Sequence, residues 1–344
     1  ADGSTNVIAA DALTAVTVAA THRRRGVLTS MLSDSLREAK DAGYPVAVLI
    51  AAEWRIYGRF GYAPATRCAD YVYYPRRAGA ALASAGSGFV RQVSTDELAK
   101  YAEEIYDRAR QLQPGGVDRK GTWWTRRLGV GGYQPIPDYR GHWLMHESDE
   151  GPDGLLCWKP DRDMSLNGTL GSIKVLDLAA ATPDAYRNLW AYLSGLDVIE
   201  EIQLTDRPVD EPARWLIADG RALHQTDLID DLWLRLLDVP AAMEARGYAA
   251  AGRLVIDVVD DDGAGYGAGR YLLDADEEGA RCMVTTGSAD VTLPQRMLAS
   301  AYLGDMSLRA LAVAGGIDEH TPGALARLDA MLATPRPPYN GTGF

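Results

Sequence analysis

Lysine, phenylalanine and cysteine are all scarce in this chain of 344 residues, with five, three and three copies. The cysteines (Cys68, Cys157, Cys282) are far apart and form no CxxC pair. That excludes a disulfide framework and points to a reducing compartment. Long apolar runs are missing too: the longest, Val46 to Ala52, falls far short of the roughly 20 residues of a membrane-spanning helix. Positive charge is in deficit, 35 Lys and Arg against 47 Asp and Glu, for a net charge of −12. This balance argues against a general nucleic-acid binder and favours cationic small partners. The five histidines (His22, His142, His146, His224, His320) contain no HExxH and no zinc-ligand spacing, so no metal is expected. What remains is an ordinary globular composition, 47% apolar and 24% charged, long enough for two or three domains.

Residue 1 is Ala, and the first lines carry neither a basic n-region nor a long apolar h-region. Ala1 to Asn6 reads as loop and Leu13 to Ala19 as a strand. The first segment, residues 1–77, ends in the aromatic strand Tyr71 to Tyr74 and is too small to fold alone, so an upstream segment is expected. A small-residue linker, Ala78 to Gly88, opens the second segment, 78–231. There Ser94-Thr95-Asp96-Glu97 forms a capping box, and Leu98, Ala102, Ile105, Ala109 and Leu112 follow at helical spacing. Thr182-Pro183-Asp184 starts another helix, with Thr as N-cap and Pro at the first helical position. The third segment, 232–344, opens with the alternating strand Leu232 to Leu237, then mixes strands with three late helices. The order of elements is α/β to α+β. Trp123-Trp124 reads as core or subunit interface, Trp143 to Met145 as a strand, and Asp257, Asp260, Asp261 and Asp262 as a solvated hairpin turn.

Chemistry concentrates in Val16-Thr-Val-Ala-Ala-Thr-His-Arg-Arg-Arg-Gly-Val-Leu28. A β-branched strand ends, three arginines and Gly26 follow, and a helix begins with Leu28, Met31, Leu32, Leu36 and Ala39 on one face. Gly26 lets helix-start amides approach an anion, and the dipole and guanidinium groups add positive potential. Such a turn suits a pyrophosphate, although a solvated basic turn has the same composition. Next come the buried strand Val46 to Ile50 and Ala51-Ala-Glu-Trp-Arg-Ile-Tyr-Gly-Arg-Phe-Gly-Tyr62.

These motifs together resemble the acetyl-CoA half of a GNAT-fold N-acetyltransferase, and more narrowly the enhanced intracellular survival (Eis) family. Trp233-Leu-Arg235, Asp238 to Tyr248, Arg281-Cys282, Tyr302-Leu-Gly304 and the terminal Phe344 extend the similarity over essentially the whole chain. The resemblance implies tandem GNAT-like domains followed by a sterol-carrier-protein-like domain. It also implies that part of the first domain lies upstream of Ala1 and that the second is non-catalytic.

It further implies acetyl-CoA as co-substrate and an amine of a cationic small molecule, such as an aminoglycoside, as acceptor. Tyr57 is then the general acid for the CoA thiolate, and the Phe344 α-carboxylate the general base, reached by the extended tail from Pro335. Val16 and Val18 would offer backbone amides, while Arg23, Arg24, Gly26, Val27 and Glu53 complete the cofactor-binding set. Ala52, Gly343 and Leu28 depart from residues common in such proteins. A homohexamer and a cytoplasmic setting are also expected, secretion staying open because the true N-terminus is not visible. Two alternatives remain, a protein-lysine acetyltransferase and a non-catalytic acyl-CoA- or lipid-binding assembly protein.

Overall fold

The computed structural model describes residues 6–79, 86–134, 139–162, 171–261 and 263–344. All but the last residue of the expected loop at Ala1 to Asn6, the middle of the 78–88 linker and Asp262 lie outside the described residues. The chain forms two compact units, Ala1–Arg67 with Asp230–Phe344, and Cys68–Ile229.

In the first unit, strand β1 (Ala10–Leu13), helix α1 (Val27–Asp41) and strand β2 (Val46–Ile50) make a parallel βαβ unit, with Ala10 opposite Val46 and Leu13 opposite Leu49. Val46 to Leu49 are all buried, the continuous apolar pattern of a strand covered on both faces. The stripe of α1 lands on this sheet through Leu32, Leu36 and Ala39. Met31 was expected in the stripe but is 44% exposed. At about 100° per residue, position 31 points well away from position 32 and the centre of the stripe.

The strand Leu232–Leu236, expected to open the C-terminal segment, is instead interior to this same sheet. It pairs antiparallel with β2 (Leu234 opposite Val48) and with β3 (Ala63–Pro64) on its other side. All five of its residues are buried. The core under α1 joins Ala47, Leu49, Phe60 and Tyr62 to Trp233 and Leu237. A second sheet of this unit is ordered Gly279–Val284, Gly269–Asp276, Gly252–Val259, Val291–Pro294, Asp318–Glu319. The helix Ala324–Leu332 adds Leu328, Met331 and Leu332 to its core.

The second unit has one seven-stranded sheet, with Leu223–Asp230 and Arg67–Tyr73 side by side at one edge and Phe89–Gln92 at the other. The Trp143 to Met145 stretch is indeed strand, within His142–Ser148. The strands Gly171–Ala180 and Ile199–Arg207 are parallel and joined by the helix Pro183–Ser194. The Thr182 cap forms as expected, its hydroxyl accepting the Ala185 amide at 3.1 Å. The capping box at Ser94 forms by half. Ser94 accepts the Glu97 amide, but the Glu97 carboxylate pairs with Arg91 at 2.6 Å instead of turning back. The helix after it is interrupted, Thr95–Leu98 and then Ala102–Arg110, and Leu112 is exposed.

Thr182→Ala should lower the stability of the chain by about 1 kcal/mol, and Thr182→Ser by much less, in urea unfolding followed by circular dichroism.

Candidate active site

β1 and β2 run parallel, so the segments that leave their carboxyl ends emerge at the same end of the sheet, where open α/β sheets place ligands. From β1 come residues 14–26 and then α1. From β2 come Ala51 to Glu53 and the short helix α2 (Trp54–Tyr57). Val16, Val18, Arg23, Arg24, Gly26, Val27, Glu53 and Tyr57 therefore share one end of one sheet.

The expected strand Leu13 to Ala19 stops at Leu13. Ala15 takes a left-handed φ of 54°, which turns the chain off the line of β2. Among the described residues no strand pairs with residues 14–18, while β2 continues to Ile50 against Leu232 on its other side. Val16 and Val18 are half-buried and alternate with exposed Thr17 and Ala19, and their peptide groups are unclaimed by a ladder.

The basic turn follows a 3-10 turn at Ala20–His22. Arg23, Arg24 and Arg25 are exposed, and among the described residues none is in an ion pair. Gly26 is the N-cap of α1 with φ 80°, a left-handed value that favours glycine, and a Cβ there would meet nothing within 4 Å. No side chain caps α1, no acidic residue lies in its first turn, and its first bonded amide is that of Ser30, to the Gly26 carbonyl at 3.0 Å. The amides of Val27, Leu28 and Thr29 are thus left for an anion at the positive end of a fifteen-residue helix.

Tyr57 ends α2 and packs half-buried against the core under α1. Its phenol has no hydrogen-bond partner among the described residues. A 3-10 turn, Gly58–Phe60, follows and closes at Gly61, whose φ is 73°. Glu53 occupies the N-cap position of α2 in an extended conformation, exposed, and its side chain makes no cap bond. Behind Tyr57 lies Tyr62, 2% exposed. Burial raises the Tyr62 phenol well above the usual tyrosine range; Asp11 and Tyr57 push the same way and Arg235 opposes them.

Arg235 itself is 1% exposed, and burial pulls its guanidinium down to about 10. It donates to the Phe60 carbonyl. Arg235 entered the sequence reading only as part of a motif. The alternation Leu232, Leu234, Leu236 marked a strand, but nothing local marked its partner as β2.

The C-terminal tail is held in place. Asn340 and Thr342 are buried, the Asn340 amide donating to the Thr342 carbonyl at 2.9 Å and the Thr342 amide to Asn340 Oδ1 at 3.1 Å. Phe344 is half-buried in the same unit as Tyr57, and no hydrogen bond joins the two.

The second unit repeats the βαβ arrangement with opposite chemistry. The strands Gly171–Ala180 and Ile199–Arg207 pair only as far as Val175 opposite Leu204. Beyond that point Arg207, 6% exposed, donates to the Leu178 carbonyl at 2.9 Å and pairs with Glu211 at the same distance. The helix that follows is capped by Thr182, begins with Pro183 and carries Asp184 in its first turn. A carboxylate and a missing N–H there disfavour an anion.

Elsewhere the titratable groups serve structure. His146 is fully buried between Asp153, at 2.5 Å, and the Ser87 carbonyl. Asp260 accepts the Gly263 and Gly265 amides, as befits a turn, and Asp257 pairs with Arg270. Trp124 is core and Trp123 packs half-buried against it. No three His, Cys, Asp or Glu side chains converge among the described residues.

Three family models match in succession: an acetyltransferase (GNAT) domain over residues 3–65, a second acetyltransferase (GNAT) domain over 115–236, and a sterol carrier protein domain over 239–341. An uncharacterized N-acetyltransferase of Streptomyces griseus is 39% identical over 339 residues, 96% of this chain and 81% of that protein. The N-acetyltransferase Eis of Mycobacterium tuberculosis is 38% identical over 331 residues, 94% of this chain and 78% of the relative. The crystal structure of Eis1 from Mycobacterium abscessus aligns over 100% of this chain and 84% of its own with a TM-score of 0.84 at 32% identity.

An anion should find the open end of α1 without help from any other substrate. Inorganic pyrophosphate is expected to bind there, Arg24→Gln weakening it several-fold and added salt weakening it further, as measured by isothermal titration calorimetry.

Proposed function

This chain belongs to the Eis family of GNAT-fold N-acetyltransferases, and from that premise we propose that it transfers the acetyl group of acetyl-CoA to an amine of a cationic small molecule, with aminoglycosides as the acceptor class. The observation that carries this reading is the uncapped, arginine-flanked start of α1 beside the parted ends of β1 and β2, with a free phenol on the next segment.

Each residue then has a task. The amides of Val27 and its neighbours, with Arg23, Arg24 and the space beside Gly26, hold the pyrophosphate of CoA. Val16 and Val18 present backbone amides to the thioester carbonyl and the pantetheine arm, where charge develops as the amine attacks. Glu53, at the rim, joins the cofactor contacts. Tyr57 gives its proton to the departing sulfur, a general-acid role open to a phenol placed beside the leaving group. The Phe344 carboxylate holds the acceptor ammonium and takes its proton through water. The burial of Asn340 and Thr342 supports a defined position for that terminus.

The domain at 78–231 is read as non-catalytic, supported by Arg207 filling the parted strands and by the capped, acidic helix start. No helix among the described residues is long and apolar enough to cross a membrane. A homohexamer in the cytoplasm completes the reading, on the strength of the family resemblance.

Thiol release from acetyl-CoA should depend on acceptor and be fastest with aminoglycosides in a panel that includes polyamines and lysine peptides. Release with lysine peptides alone would replace the acceptor class, and lipid binding with no release would replace the enzyme reading. Tyr57→Phe should cut kcat by about 100-fold or more while the KM for acetyl-CoA moves by about twofold or less. Removal of Phe344, or a C-terminal extension, should lower turnover without lowering acetyl-CoA affinity.

A further inference from the structure

The strand Leu232–Leu236 presents Trp233 and Arg235 on the same face, because residues two apart on a strand share a side. Both side chains reach the segment that carries Tyr57. Trp233 meets the ring of Trp54, the first residue of α2, edge to face at 4.8 Å and 79°. Arg235 donates to the carbonyl of Phe60, three residues after Tyr57. Tyr57 therefore stands between two anchor points, one on each side of it in sequence, both supplied by one strand.

The anchors differ in kind. Trp233 is 1% exposed and fastened by its own indole N–H, which donates to Asp230 at 2.5 Å, whereas Trp54 is 61% exposed and rests on it. Arg235 is a buried cation whose guanidinium lies 5.5 Å from the ring of Tyr266, and its electrostatic influence reaches Tyr62, which Tyr57 also influences. A buried cation is costly to desolvate, and removing a hydrogen bond to a buried charge costs more than removing a neutral one. An apolar residue would suffice to fill space in a strand buried on both faces, whereas the guanidinium adds a directional donor, one N–H of which is turned to the Phe60 carbonyl.

We propose that Arg235, with Trp233, is a positioning residue for Tyr57: the strand clamps both ends of the Trp54–Phe60 segment and so fixes where the phenol stands. The proposal rests on the reading of Tyr57 as the general acid. Its physical warrant is the steep dependence of proton transfer and attack on geometry, since about 1 Å of displacement can cost about 100-fold in rate.

The test is kinetic, on the full chain, with Arg235→Gln, Arg235→Lys and Trp54→Ala made in the Tyr57 protein and in the Tyr57→Phe background. Trp54 is exposed, so its truncation leaves the core intact and decides the matter even if Arg235→Gln does not fold. In the Tyr57 protein, Arg235→Gln and Trp54→Ala should each lower kcat by about tenfold with the KM for acetyl-CoA within about twofold, and Arg235→Lys should retain part of the rate. In the Tyr57→Phe background the same substitutions should have almost no further effect on kcat. Unchanged kcat, or an equal fold-loss in both backgrounds, overturns the clamp while leaving the transferase intact. Undiminished turnover in Tyr57→Phe alone overturns the acid role and the clamp with it.

Discussion

β1 and β2 share four residue pairs and then part after Leu13 and Leu49, and the proposed site is built on what that separation leaves unbonded. Peptide groups in a protein interior are nearly always paired. A parallel pair that opens at its carboxyl end therefore supplies donors that a substrate can use at no cost to the sheet. The left-handed turn at Ala15 sends the chain away, and the left-handed cap at Gly26 brings it into α1 with three amides free. Between those two backbone events lie all the arginines of the turn. Hydrogen-bond supply, helix polarity and side-chain charge all favour an anion at the same place.

The second unit shows what happens when the same βαβ frame is given other residues. Its strands part in a similar way, but Arg207 occupies the opening and is itself neutralised by Glu211. Its helix is closed by Thr182, Pro183 and Asp184 where α1 is opened by Gly26 and Arg25. The frame thus permits binding without requiring it. Half a dozen side chains decide whether the gap is a cleft or a packed joint.

Local patterns revealed much of this. The 3–4 spacing of Leu32, Leu36 and Ala39 identified the buried face of α1, and Thr182-Pro183 gave a helix start correctly. The basic turn and Tyr57 stood out as candidates only through the motifs they share with the Eis family, because an arginine-glycine turn alone has the composition of a solvated loop. What escaped were features set by distant partners or by one dihedral angle. The positive φ of Ala15 ended a strand that β-branched composition predicted to continue. Leu232–Leu236 read only as an alternating strand, and its burial on both faces, partly by the core under α1, depends on residues far away in sequence. The buried role of Arg235 was hidden for the same reason, since one of its acceptors, the Phe60 carbonyl, is a main-chain oxygen and leaves no mark on residue choice.

The sheet that carries β2 is finished by a strand made about 170 residues after β3. On a ribosome adding about 5–20 residues per second, that leaves β2 and β3 without their neighbour for roughly 10 to 30 s. The intervening unit eases the wait. Its first strand, Arg67–Tyr73, and its last, Leu223–Asp230, lie side by side in one sheet. Once that unit has folded, its entry and exit are next to each other, and the loop to be closed is short in space although long in sequence. A folded insert thus acts as a splint that holds the late strand beside the early sheet, and a lesion in it would leave β2 open to the wrong partners.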